Sequence, residues 1–457
     1  MDRRSFVSTG ASALAAWWLP RRALADTLPA TARPLPTAAQ LAWQRDELAM
    51  FCHFGVNTFT DREWGDGTED PALFNPARLD ARQWARAAKA AGFRAMILTA
   101  KHHDGFCLWP TATTAHSVAA SPWRGGNGDV VREFVDACRA EGLRAGLYLS
   151  PWDRNNPAYG DSPRYNDLYC GQLTELLTRY GPISEVWFDG ANGEGPNGRR
   201  QAYDWPRFFG LVRRLQPDAV MFSDAGPDVR WCGNERGVAG DPNWSTVNPD
   251  AVPVPGATGP GIEPALQHGD PNGAEWRPAE ADVSIRPGWF HHAAEDARVR
   301  SVDSLVDLYF SSVGRNAKLL LNVPPTRDGV LHDVDVSRLA AFREARDALF
   351  AHDAASGART TWTRDAQARN VLDVELRAPA DLACVRLEEP IEHGQSIARY
   401  TLQALDASGW RVLSQGTTIG NAKLDRVDAT AVTRLRLIVE EAVGPVDAPR
   451  LRAWARA

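Results

Sequence analysis

Glu185-Val186-Trp187-Phe188-Asp189-Gly190 is an apolar run that stops on a carboxylate and a glycine. It is too short for a helix, and its apolar residues do not alternate with polar ones, so it reads as a strand covered on both faces. The same form recurs in Met50-Phe51-Cys52-His53-Phe54-Gly55-Val56, Ala95-Met96-Ile97-Leu98-Thr99-Ala100 and Arg144-Ala145-Gly146-Leu147-Tyr148-Leu149. It appears again in Ala219-Val220-Met221-Phe222 and Lys318-Leu319-Leu320-Leu321-Asn322-Val323. Segments of helical period lie between these runs. One begins at Asp80, an N-cap with Gln83 three residues on; it puts Trp84, Ala87, Ala88 and Ala91 on one face and stops at Gly92. Others carry Val131, Phe134, Val135 and Cys138, then Leu173, Leu176, Leu177 and Tyr180, then Phe208, Leu211, Val212 and Leu215. Two more are expected over 304–314 and 335–349.

Strands alternating with helices predict an α/β fold built on a parallel sheet. An open sheet and a closed barrel both satisfy the alternation, and the polar residues decide between them. His53, the Lys101-His102-His103-Asp104 run, Tyr148, Asp189, Asp224 and Asn322 all fall at or just past strand C-termini. A barrel gathers those ends at one mouth, where active sites form, whereas an open sheet spreads them along an edge. A (β/α)8-like barrel is therefore expected over residues 26–352. Six of its strands are clear, and the other two are expected within 264–290.

The periodicity changes after Ala351-His352-Asp353-Ala354-Ala355-Ser356-Gly357. Val371-Leu372-Asp373-Val374-Glu375-Leu376 alternates, as do Val385-Arg386-Leu387 and Leu435-Arg436-Leu437-Ile438-Val439. This predicts a C-terminal β-sandwich domain over 358–457. At the other end, Arg3 and Arg4 precede an apolar stretch and the small-x-small site Ala23-Leu24-Ala25. Residues 1–25 resemble a twin-arginine export signal, with Val7-Ser8 in place of the usual Leu-Lys ending; an uncleaved anchor or a disordered terminus is the plain alternative. The expectation is a periplasmic or secreted protein with no membrane contact after cleavage.

A formal net charge of −6 offers no reason to expect a nucleic-acid partner. Cys52, Cys107, Cys138, Cys170, Cys232 and Cys384 form no C-x-x-C pair or zinc spacing, and buried free thiols are expected. No cofactor or metal is expected. His102-His103 with His53 invites a metal reading, but adjacent residues of an extended segment point to opposite sides.

Asp189 sits where a rigid strand end fixes a carboxylate, as a nucleophile requires, and Gly190 admits a close neighbour. A turn-capping Asp is the bland alternative. A glycoside hydrolysis would need a second carboxyl to protonate the leaving oxygen, roughly 5–5.5 Å away in a retaining enzyme. Asp224, Asp228, Glu235 and Glu280 are the candidates. Turn chemistry accounts for the first two. Glu235 has Trp231 near it in sequence, and burial against an aromatic ring would raise its pKa; local physics favours it over Glu280 only slightly.

Taken in order, His53-Phe54-Gly55, Glu63-Trp64-Gly65, Lys101-His102-His103-Asp104-Gly105-Phe106, Tyr148-Leu149-Ser150, Trp187-Phe188-Asp189-Gly190 and Leu320-Leu321-Asn322-Val323-Pro324-Pro325 resemble glycoside hydrolase family 29, the α-L-fucosidases. The resemblance spans roughly residues 45–330. It implies a retaining double displacement with Asp189 as nucleophile, and a fucose ring held by His53, Glu63, Trp64, His102, His103, Tyr148 and Trp187. The stretch 226–235 and Ile285-Arg286-Pro287-Gly288-Trp289-Phe290 resemble the branch acting on α-1,3/1,4-fucosyl linkages. That likeness selects Glu235 over Glu280 as acid/base and adds Arg230 and Trp289 to the substrate-binding set. The expected partner is a fucosylated oligosaccharide or glycoconjugate. A fucose-binding lectin without turnover and a His-ligated metal-dependent hydrolase are the alternatives.

Overall fold

A computed structural model describes residues 33–456. The expected export segment, residues 1–25, lies outside the described residues. Eight parallel strands close a barrel: β1 (Leu48–Cys52), β2 (Ala95–Lys101), β3 (Arg144–Leu149), β4 (Glu185–Trp187), β5 (Val220–Ser223), β6 (Val229–Trp231), β7 (Ala279–Ser284) and β8 (Ala317–Asn322). Neighbours follow chain order, and β1 meets β8 to complete the ring, with Leu48 opposite Leu319 and Phe51 opposite Asn322.

Alternation along each strand separates two cores. Ala49, Phe51, Ile97, Tyr148, Trp187, Phe222 and Leu320 form the inward cluster. Met50, Cys52, Met96, Leu98, Leu147, Val186, Met221 and Leu321 pack outward with the helices. Strand β4 has only three residues and few ladder bonds. Its placement rests on side chains: Trp187 stacks on Phe222 with ring centroids 4.1 Å apart and planes within 10°. A buried aromatic side chain of this kind contributes about 1.5–3 kcal/mol.

The helix Ala81–Ala90 is capped by Asp80, whose carboxylate accepts from the Gln83 N–H at 2.9 Å. Gln83 does not return the bond. Its amide instead bridges the backbone of Leu331, tying this helix to the chain after β8.

The two strands missing from the sequence reading are placed differently from expectation. One, β7, lies within 264–290, but the other is β6, at 229–231. No helix separates β5 from β6; the link is 224–228, where Asp228 accepts from the Met221 N–H and pairs with Arg213. Without a preceding helix, nothing in the periodicity announces the strand.

Six antiparallel strands follow the helix Asp333–Leu349: β9 (Arg359–Arg364), β10 (Asn370–Glu388), β11 (Ile397–Asp406), β12 (Gly409–Gly416), β13 (Lys423–Ala442) and β14 (Arg450–Ala455). The two long strands, β10 and β13, pair along their length with register shifts between Glu375 and Cys384. Before the shifts β10 is flanked by β9, and after them by β14. Leu372, Val374, Leu382, Val385, Leu402, Leu435 and Leu451, drawn from both halves, share one core, so the sheet folds over itself. The six cysteines are buried and unpaired. No helix of the described residues is long and apolar enough to cross a membrane.

Candidate active site

The strand ends supply a ring of polar and aromatic groups at one mouth of the barrel. Asp189 lies two residues past the end of β4, after Phe188. Its Oδ1 accepts from the Ala191 N–H at 2.7 Å and its Oδ2 from the Tyr148 hydroxyl at 3.1 Å. Burial raises the carboxyl's pKa, and those two bonds work against the rise. Gly190 is obligatory here. A Cβ on it would stand 2.5 Å from Asp224 Oδ2 and 2.7 Å from the Gly256 N–H nitrogen. The Gly256 N–H donates to Asp224 Oδ2 at 3.0 Å, and burial with the charge of Asp189 pushes the Asp224 pKa up to about 6.

The three histidines are buried and neutral. His53 Nδ1 lies 2.9 Å from Asn322 Oδ1, while the Asn322 amide group donates to Ser284 and to the Trp289 carbonyl. Those two acceptors fix the amide's orientation, so the His53 proton sits on Nδ1 and Nε2 is left as an acceptor. His103 follows the same logic. Ser150 donates to the Trp152 carbonyl, so it must accept from His103 Nδ1, at 2.7 Å; His103 Nε2 then faces Asp189 Oδ2 at 3.8 Å. Burial brings the pKa of each of these rings to about 3. Burial also holds His102 well below its ordinary value. Neutral acceptors of this kind suit hydroxyl donors.

His102 and His103 do not diverge as expected. The chain leaves β2 at Lys101, and their rings lie side by side with centroids 4.1 Å apart. Among the described residues no group of three or more His, Cys, Asp and Glu side chains is arranged to hold a metal ion.

Glu63 comes from the loop after β1. Its carboxylate accepts from the Trp289 and Phe290 N–H groups and from His292 Nε2 at 3.1 Å, and His292 Nδ1 lies 2.7 Å from Asp61. Burial opposes charge on His292, but its two carboxylate partners outweigh it and raise the pKa. His292 was not singled out in the sequence, where nothing near it marks a strand end. Trp289 packs 5.0 Å from His53, and Trp64 stands 56 % exposed at the rim, edge-on to His103. Trp187 lines the floor, its indole N–H donating to Glu280 Oε1 at 2.9 Å.

Glu235 is an exposed residue at the same mouth. Partial withdrawal from water raises its pKa, the Trp289 side chain hydrogen-bonded to it works the other way, and the charges of Asp189 and Glu63 add to the rise. Its aromatic neighbour is therefore Trp289 and not Trp231, whose indole donates to Asp282 at 2.7 Å.

Three of the sequence candidates point elsewhere. Arg230 is 2 % exposed and turned out of the barrel, donating to the Leu266 and Arg277 carbonyls and to Asn243 Oδ1. Asp228 is engaged with Arg213. Glu280 is wholly buried beneath Trp187; burial and its neighbour Glu185 put its pKa well above the carboxylate range despite Lys318.

The family model described as alpha-L-fucosidase matches residues 69–344. Alpha-L-fucosidase 1 of Arabidopsis thaliana is 43 % identical over 438 residues, covering 90 % of this chain and 85 % of the relative. The crystal structure of a glycoside hydrolase 29 family member from an unknown rumen bacterium has a TM-score of 0.86 at 41 % identity, covering 93 % of this chain and 78 % of the other. A Ruminococcus gnavus GH29 fucosidase in complex with fucose has a TM-score of 0.81 at 30 % identity, covering 94 % and 96 %. The chain is thus a glycoside hydrolase and belongs to the alpha-L-fucosidase family, family 29.

Proposed function

We propose that the chain is a retaining exo-α-L-fucosidase with Asp189 as nucleophile and Glu235 as acid/base. The observation that carries this reading is the meeting of two carboxyls from separate segments at one mouth, Asp189 bonded to Tyr148 and Glu235 to the Trp289 side chain, with the charge of Asp189 raising the pKa of Glu235. A retaining mechanism requires such a pair, one ionised and one protonated at the start. Asp189 attacks the anomeric carbon while Glu235 gives its proton to the departing oxygen. Water, deprotonated by Glu235, then cleaves the fucosyl ester. Acceptor nitrogens on His53 and His103 take sugar hydroxyl protons, Glu63 accepts another, and Trp187, Trp289 and Trp64 shelter the ring's apolar side.

Preference for α-1,3/1,4 linkages is part of this proposal, resting on the likeness of 226–235 and 285–290 to that branch of the family. A panel of oligosaccharides carrying α-1,2-, α-1,3-, α-1,4- or α-1,6-linked fucose tests it. Free fucose is expected at least about tenfold faster from the α-1,3 and α-1,4 members. Equal or reversed rates would remove the linkage preference, and silence across the panel would remove the hydrolase reading. The Arg3-Arg4 segment supports export of the protein in folded form, which cell fractionation checks.

Glu280 serves Trp187 in this reading. Glu280→Ala leaves a void and an unpaired indole N–H, so it is expected to lower stability by about 2–4 kcal/mol in a denaturant melt. Azide should not restore its activity; restoration would return the acid role to Glu280.

A further inference from the structure

Along β7, Glu280, Asp282 and Ser284 alternate toward the barrel interior. Glu280 is sealed beneath Trp187, and Ser284 is bonded to Asn322 and the Gly288 carbonyl. Asp282, 4 % exposed, is different. Its Oδ1 accepts from Trp231 Nε1 at 2.7 Å. Apart from its own peptide N–H, no other group among the described residues bonds its carboxyl, and neither carboxyl oxygen is among the buried atoms left without a partner. The charges of Glu235 and Asp189, two carboxyls of the mouth, act on this carboxyl.

We propose that Asp282 is a further substrate-binding residue of this site, its carboxyl fixing the Trp231 indole through one oxygen and hydrogen-bonding the bound sugar through the other. This rests on the fucosidase reading above. The charged surroundings fit the role. Glu235 faces Asp282 from the loop after β6, Asp189 from the end of β4, Glu280 from two residues down its own strand, and Cys232 from the end of β6. Burial raises its pKa to about 8, the Trp231 bond opposes this, and the charges of Glu235 and Asp189 add to it. Near neutral pH the group keeps its proton and can donate it, in a mouth where the histidine nitrogens and Glu63 only accept. Trp231, which Asp282 holds, packs against both the aromatic barrel interior and the Ala225, Val252 and Leu266 cluster.

The test uses the full chain and chloronitrophenyl α-L-fucoside, whose leaving group needs no proton, so that kcat/KM reports the first displacement without Glu235. In the wild type kcat/KM is expected to decline as Asp282 ionises, near pH 8. Asp282→Asn keeps an acceptor for Trp231 and a donor for the sugar; kcat/KM near neutral pH should fall by less than about tenfold, and the alkaline decline should vanish. Asp282→Leu should weaken inhibition by L-fucose by about tenfold or more. An alkaline decline unchanged in Asp282→Asn, or L-fucose inhibition unchanged in both variants, overturns the inference. A wild type that releases no fucose would instead overturn the reading on which it rests.

Discussion

Asp189→Ala should release no measurable fucose from any linkage, with turnover of an aryl fucoside reduced on the order of 10⁴-fold or more. The chain should still fold. Among the described residues the Asp189 carboxylate bonds only Tyr148 and the Ala191 N–H, and its removal relieves repulsion with Asp224, Asp282 and Glu235, so the melting free energy should move by no more than about 1 kcal/mol. Small anions supply a sharper readout. Azide entering the space of the lost carboxylate would attack the face that Asp189 occupied, and the product should be the β-fucosyl azide. Wild-type-like activity in this variant would remove the nucleophile assignment.

Glu235→Ala should divide substrates by leaving group. Oligosaccharide cleavage, which needs a proton delivered to a poor leaving group, should fall by about 10²–10⁴-fold, whereas formation of the fucosyl ester from chloronitrophenyl fucoside should be nearly spared. Azide should then restore turnover of the activated substrate and give the α-fucosyl azide, since it attacks the ester from the opposite face. The opposite anomers from the two variants would distinguish nucleophile from acid/base. No rescue at Glu235 would move the acid role to another carboxyl of the mouth.

The barrel was legible because its strands end on polar residues. His53, His102, Tyr148 and Asp189 were placed at the mouth by position alone, and the structure brings them there. The errors trace to one rule, side-chain alternation. It was applied to His102-His103, where the chain has already left its strand and both rings turn to the same side. In Val229-Arg230-Trp231, which forms β6, the same rule turns Trp231 inward and Arg230 outward. Alternation also turns Glu280 and Asp282 to one face of their strand, with Glu280 bonded beneath Trp187 and Asp282 bonded to Trp231. His292 was invisible for another reason: its role depends on Asp61 and Glu63, more than two hundred residues earlier in the chain.

The six cysteines carry a practical consequence. Burial raises the pKa of every one of these sulfhydryls, so none keeps a reactive anion at physiological pH. Buried, unpaired thiols of this kind are expected to leave the fold insensitive to the redox poise around it. It can mature under reducing conditions, work under oxidising ones without remodelling, and be handled in air with no reductant. Alkylating reagents that silence it would be reporting on loss of the fold and not on the chemistry at the mouth.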